Sequence, residues 1–199
     1  VAKQEGKAIF NASMSFHIEE QGFEHQIALP DMPSPDDLQS EKAYWQKTSP
    51  LIGGLMPPDL GQFDAIDVRV VGRREPLNPT CEAPVQGMWI KVSKEVGNDQ
   101  AIQRMLLAYI SDMQFMGTAL RPHPVSFWTK GFQGASLDHA MWFHCDFKLD
   151  EWLYYYMDSP RAMGSRGFNR GSFYSQAGIL VASTAQEGLM RLRKPKVDS

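Results

Sequence analysis

The chain has 199 residues, 43% hydrophobic and 11% aromatic, with a formal net charge of −3 and a pI near 6.0. That is one domain, or one domain and part of another, with a sizeable core and little disorder. It excludes a bulk electrostatic nucleic-acid binder, which needs a basic face, and a membrane-spanning helix, since no apolar run approaches ~20 residues. Cys81 and Cys145 alone make neither a disulfide scaffold nor a zinc site, which points to a reducing intracellular compartment. The opening residues, Val1 to Glu5, are polar and lack Met; they fit no signal peptide and lead us to expect a fragment.

From the N-terminus, Lys7 to Ile18 predicts a strand: Ala8, Phe10, Ala12, Met14 and Phe16 alternate with Lys7, Ile9, Asn11, Ser13 and Ser15. Gly6 suits a hairpin turn, so a partner strand is expected before Val1 or is missing. Pro30, Pro33 and Pro35, with Asp31, Asp36 and Asp37, exclude a regular element. Ser40 and Glu41 open a short helix through Trp45, and residues 51–61 are again rich in Gly and Pro. Residues 29–65 therefore read as an extended connection between domains. Strands are expected over Ile66–Val71 and Gly87–Val92. A helix follows from about Asp99 to Phe115, capped by Asn98 or Asp99. Its apolar stripe is Ile102, Met105, Leu106, Tyr109, Ile110 and Met113. Three strand regions complete the pattern: Gly134 to Cys145, Glu151 to Ser175 with a break, and Ile179 to Arg193, the last two joined by a turn at Gln176-Ala177-Gly178. The sum is an α+β domain, a sheet curled around a helix.

Three polar residues stand out. Asp112 interrupts an apolar helix, about 80–100° from the centre of its stripe, beside the small Ala101 and Ala108. A carboxylate there is costly unless bonded or used, although a boundary Asp facing solvent or an Arg gives the same pattern. Ser136 opens a strand without a nucleophile elbow, so it reads as a hydrogen-bond partner rather than a nucleophile. Gln186 lies on a strand face of small or apolar residues and needs partners, which function or a neighbouring backbone would supply equally well. The cluster Asp138, His139, His144, Cys145 and Asp146 invites a metal. The odd spacing of the two histidines places them on opposite faces of an unbroken strand, which argues against one. Gly164 to Gly171 is Gly-rich and basic but is no phosphate-loop motif; its glycines mark a bulge or close packing, with Arg166 and Arg170 a weak phosphate signal.

The segments SLDHAMWFH and EWLYYYMDSPRAMGSRGFNRGSFYSQAGILVASTAQEGLMR resemble the C-terminal half of the type II acyl-CoA thioesterases, a family with bacterial and peroxisomal members. AYISDMQFMGTAL resembles that family's central C-terminal helix, and GKAIFNASMSF with GFEHQ resembles the end of its N-terminal half. The resemblance implies a double hotdog, two fused copies of a sheet wrapped around a helix. This chain would carry the last strand region of the first copy (1–28), the connection (29–65), the second copy (66–194) and a tail (195–199). It also implies a catalytic set of an Asp on the helix, a Thr or Ser in the next strand and a Gln in the last strand, which fall on Asp112, Ser136 and Gln186.

The expected activity is hydrolysis of fatty acyl-CoA by a water that Asp112 deprotonates and that Ser136 and Gln186 fix, without an acyl-enzyme. No cofactor or metal is called for. The expected partners are acyl-CoA and further copies of the chain in a dimer or tetramer, with no nucleic acid and no membrane span. One alternative is a half that only binds acyl-CoA or assembles, favoured by exposed apolar surface where the first hotdog should sit. Another is a hotdog enoyl-CoA hydratase, which resembles a pattern with a His soon after the Asp; here none follows before His123. A peroxisomal location is expected, with bacterial cytoplasm as the alternative: Ser136 is the variant of the peroxisomal members, and Lys-Leu after Ser199 would complete a peroxisomal address.

Overall fold

The computed structural model describes residues 1–54 and 63–193. Most of the Gly/Pro-rich stretch expected at 51–61, and the 195–199 tail, lie outside them. The first elements are β1 (Ala2–Gln4) and β2 (Lys7–Phe10), an antiparallel hairpin. Its turn residues, Glu5 and Gly6, both have positive φ, 49° and 77°, the backbone of the tight turns that match strand twist. The partner strand of β2 is thus inside the chain, not before Val1. The strand expected through Ile18 stops at Phe10. Phe16 and Ile18 are 92% and 85% exposed; alternation forms no strand where neither face is buried and no neighbour accepts the ladder.

Helix α1 (Glu41–Thr48) starts where expected, with Ser40 Oγ accepting from Ala43 N–H at 3.2 Å, and runs three residues past Trp45. The remaining elements are β3 (Ile66–Val71), β4 (Val85–Val92), α2 (Gln100–Ile110), a short α3 (Gly117–Leu120), β5 (Phe132–Ser136), β6 (Ala140–Phe143), β7 (Leu153–Met163), β8 (Arg166–Ser175) and β9 (Leu180–Leu192). The strands from β3 onward form one antiparallel sheet in the order β3-β4-β7-β8-β9-β5, with β6 also pairing along β9. Its inner face supplies Val68, Met88, Ile90, Tyr155, Phe173 and Ala182 to a core with Leu107 and Ile110 of α2. This is the α+β arrangement expected, a sheet around a helix. On the outer face Trp89, Tyr154 and Tyr174 cluster, covered by Leu29, Met32 and Leu38 of the preceding connection. Trp89 Nε1 also donates to Pro33 O at 2.9 Å.

Two expectations fail at α2. The helix ends at Ile110, not Phe115, and Gln114 adopts a left-handed φ of 58°. The helical ladder is broken from outside. Tyr155 Oη donates to Ser111 O at 2.9 Å and Gln86 Nε2 to Gln114 O at 2.8 Å. The backbone between them runs in tighter i→i−3 turns, Met113 N to Ile110 O and Phe115 N to Asp112 O. Second, the buried face is Gln103, Leu107 and Ile110, while Ile102, Met105 and Tyr109 of the expected stripe are exposed. The helix is amphipathic, but much of its apolar stripe is turned away from the sheet and Gln103 lies on the covered side, so periodicity found the apolar face without showing which face the sheet covers. Gln103 is tolerated at the core because its amide bonds Gly97 O at 2.7 Å and Leu149 N at 2.9 Å.

Candidate active site

Asp112 follows the end of α2 and is held by two other elements. Gln186 Nε2, buried on β9, donates to Asp112 Oδ1 at 2.6 Å. Ser136 Oγ, at the end of β5, donates to the same oxygen at 3.4 Å. Among the described residues Oδ2 accepts no hydrogen bond, so the carboxylate is fixed on one side and available on the other. Local packing explains the approach of β5 to β9. Ser136 pairs with Gly188, and a Cβ at Gly188 would overlap the Met116 side chain that packs there. All three residues singled out in the sequence therefore meet.

The sequence reading weighed His139 only as a member of a metal cluster and did not place it beside Asp112. Its Nε2 lies 2.7 Å from Ser111 Oγ, and its ring stands edge-on to Phe115 at 5.8 Å. Ser111 Oγ spends its only proton on Ala108 O at 2.7 Å, so the ring Nε2–H is the donor to Ser111. Burial lowers the His139 pKa below its ordinary 6.5, against the opposing pull of Asp112 and Asp138. An unbroken strand was the wrong frame for this residue, because Leu137 to His139 separate β5 from β6. There Asp138 Oδ1 takes Glu187 N–H at 2.7 Å in place of a ladder partner. The other members of the suspected metal cluster turn elsewhere: His144 Nε2 lies 2.8 Å from Ser183 Oγ, and Asp146 pairs with Arg104 at 2.9 Å. Arg166 and Arg170 are likewise engaged, with Glu187 at 3.2 Å and Asp158 at 2.5 Å. Gly167 and Gly171 are close-packing glycines, where a Cβ would overlap Ala119 and Tyr155 respectively.

Below Ser111, Tyr155 Oη gives its proton to Ser111 O and so accepts from Thr184 Oγ1 at 2.9 Å. Burial raises its pKa well above 10.0, which keeps the phenol a neutral donor. Asp112 and Ser136 also line a cavity of about 480 Å³, together with Phe115, Trp128 and, from α1, Tyr44 and Trp45. That volume is in the range of small-molecule pockets. Helix α1 is held against it by the buried Glu41, whose Oε2 accepts from Trp45 Nε1 at 2.8 Å and which pairs with Arg73. Arg73 in turn lies 3.9 Å over the Tyr44 ring.

Comparison with known proteins bears on this arrangement. A profile of the acyl-CoA thioesterase family matches residues 62–189. The chain is 36% identical over 190 residues to "Acyl-CoA thioesterase 2" of Haemophilus influenzae, covering 96% of this chain and 66% of that protein. It is 36% identical over 204 residues to "Acyl-coenzyme A thioesterase 8" of Mus musculus, covering 98% and 63%. The chain thus spans about two thirds of the length of these relatives. Among solved structures, an acyl-CoA thioesterase II from Mycobacterium marinum superposes with a TM-score of 0.69 at 35% identity, over 88% of this chain and 60% of that one. A protein with a hot dog fold from Alicyclobacillus acidocaldarius superposes at 0.62 with 17% identity, over 90% and 61%, and supports the fold alone. A helix cradled in an antiparallel sheet, a profile match across that domain and these similarities agree: the chain belongs to the acyl-CoA thioesterase family and has an α+β hotdog fold.

Proposed function

We propose that the full-length protein hydrolyses the thioester of fatty acyl-CoA to free fatty acid and CoA, with Asp112 as general base. The observation that carries the reading is the convergence of Gln186 Nε2 and Ser136 Oγ on one oxygen of Asp112. Charge-assisted bonds of this kind fix the direction in which a carboxylate points. Water gives one proton to Asp112 as its oxygen bonds to the carbonyl carbon, and the carbonyl oxygen becomes an oxyanion. Collapse re-forms the carbonyl and breaks the C–S bond. CoA departs as a thiolate, which needs little acid assistance because a free thiol has a pKa of ~8.5, and it then takes the proton from Asp112. One water is consumed for each acid and thiol formed. The acyl chain lies in the cavity that Asp112 and Ser136 share with Tyr44, Trp45 and Trp128. Similarity to relatives named as acyl-CoA thioesterases supports the substrate class.

A positioned base contributes ~10²–10⁴-fold. Asp112→Asn in the full-length protein is therefore expected to lose at least ~10² in thiol release from a long-chain acyl-CoA while its fold persists. Near-normal turnover in a folded Asn variant would remove Asp112 from the reaction.

The exposed side of α2 favours a second reading for the part of the protein described here, a half that serves assembly. Met105 and Tyr109 are 64% and 56% exposed. Arg104 connects this side of α2 to β6, lying over the Phe143 ring and pairing with Asp146. In the full-length protein a second hotdog covers this face, and further copies of the chain form the oligomer. If the full-length protein binds acyl-CoA of every length without releasing thiol, the assembly reading replaces the hydrolase. A peroxisomal location has the support of one relative's name, "Peroxisomal acyl-coenzyme A thioester hydrolase 1" of Saccharomyces cerevisiae, 29% identical over 92 residues; imaging of the tagged full-length protein tests it.

A further inference from the structure

Asn169 has no place in the reaction as written, yet it is the most unusual polar residue of the interior. It is 0% exposed, and among the described residues neither its Oδ1 nor its Nδ2 has a hydrogen-bond partner. It sits on β8 directly opposite Gln186 on β9, so both side chains point to the same inner face. Gln186 is equally buried; its Nε2 is committed to Asp112, and its Oε1 is unpartnered among the described residues. The flanking positions on that face are Gly167 and Gly171, which admit Ala119 and Tyr155 close to the strand. Two fully buried amides with complementary unused atoms thus face each other across one strand pair.

We infer that Asn169 is a positioning residue for Gln186: its Nδ2–H donates to Gln186 Oε1 through one bridging water. The inference rests on the hydrolase reading above. A buried amide pair beyond direct reach is joined in this way when water fits between them. The link does two things. It fixes the sense of the Gln186 amide, because rotation by half a turn would set Oε1 against the Asp112 carboxylate and leave Nε2 facing the donor. It also polarises that amide, since hydrogen bonds in series strengthen one another. The N–H that Asp112 receives is then a better donor, which holds the carboxylate more firmly in place.

The test uses the full-length protein with Asn169→Val, which removes the amide at similar volume, and Asn169→Ser, which keeps a donor. Asn169→Val is expected to lower kcat roughly tenfold with KM unchanged, the low end of the ~10–100-fold that loss of an orienting partner costs a liganding side chain. Asn169→Ser is expected to recover part of the loss in kcat. A merely structural role would alter melting temperature without separating kcat from KM in this way. A folded Asn169→Val variant with the parent's kcat and KM overturns the inference. A crystal structure of the full-length protein checks it without any variant: it should show a water within hydrogen-bond distance of Asn169 Nδ2 and Gln186 Oε1, and an Asn169 amide bonded elsewhere overturns it. An inactive parent protein indicts the hydrolase reading instead; an active parent with an indifferent Asn169→Val indicts only this inference.

Discussion

At the scale of single residues, His139 shows how a buried donor makes stability depend on pH. Its neutral ring donates to Ser111 Oγ, and burial holds its pKa below 6.5 although Asp112 and Asp138 pull the other way. As pH falls through 6.5, the unfolded ring protonates before the folded one, so the unfolded state binds more protons and stability falls. The contribution of the neutral ring is fully present above 6.5 and is lost toward and below the folded value. His144 is shifted in the same direction by burial, so wild type alone does not separate the two. We expect the melting temperature of His139→Gln to fall less than that of wild type between about pH 7 and about pH 5.5. Parallel curves would mean that His139 titrates alike in both states.

At the scale of elements, α1 matters more than its position in a connecting segment implies. Glu41 is 2% exposed and binds Trp45 Nε1 and Arg73, which fastens the helix over the cavity. Trp45 is a core residue, packed with its ring centroid 6.2 Å from that of Trp128. Truncating such a side chain to Ala costs about 3–5 kcal/mol, a large share of the ~5–15 kcal/mol that holds a domain together. Trp45→Leu is the gentler probe. If the acyl chain occupies the cavity, that variant of the full-length protein is expected to shift thiol release toward longer acyl-CoAs. An unchanged chain-length profile in the folded variant would show that α1 does not bound the acyl site.

At the scale of the whole molecule, the two sides of the domain are treated differently. The outer face of the sheet is sealed by Leu29, Met32 and Leu38 over Trp89, Tyr154 and Tyr174. The side of α2 turned away from the sheet leaves Ile102, Met105 and Tyr109 open along one helical face, 41%, 64% and 56% exposed. Contiguous apolar surface of this kind marks an interaction site. The 199-residue chain alone is therefore expected to self-associate with rising concentration in light scattering, and Met105→Lys with Tyr109→Lys to suppress it. A monomer at all concentrations without those changes would argue that the face is tolerated in water.

The sequence alone carried the local pattern. β3 appears at the predicted bounds, Ser40 caps α1, and β7, β8 and β9 lie within the expected strand regions with the turn at Gln176 to Gly178. Asp112, Ser136 and Gln186 were visible as polar residues out of place, and the family resemblance grouped them. Their meeting was not legible locally: Asp112 lies 24 residues from Ser136 and 74 from Gln186. The end of α2 was decided by Tyr155 and Gln86 reaching its carbonyls from the sheet, its buried face by which side the sheet wraps, and the place of His139 by a strand break at Asp138. Asn169 drew no notice as one letter in a glycine-rich run and becomes conspicuous only opposite Gln186. The physical reason is the same in each case. Propensity, caps and alternation are written between neighbours in the chain, whereas burial and hydrogen-bond partners belong to residues that are neighbours only after folding.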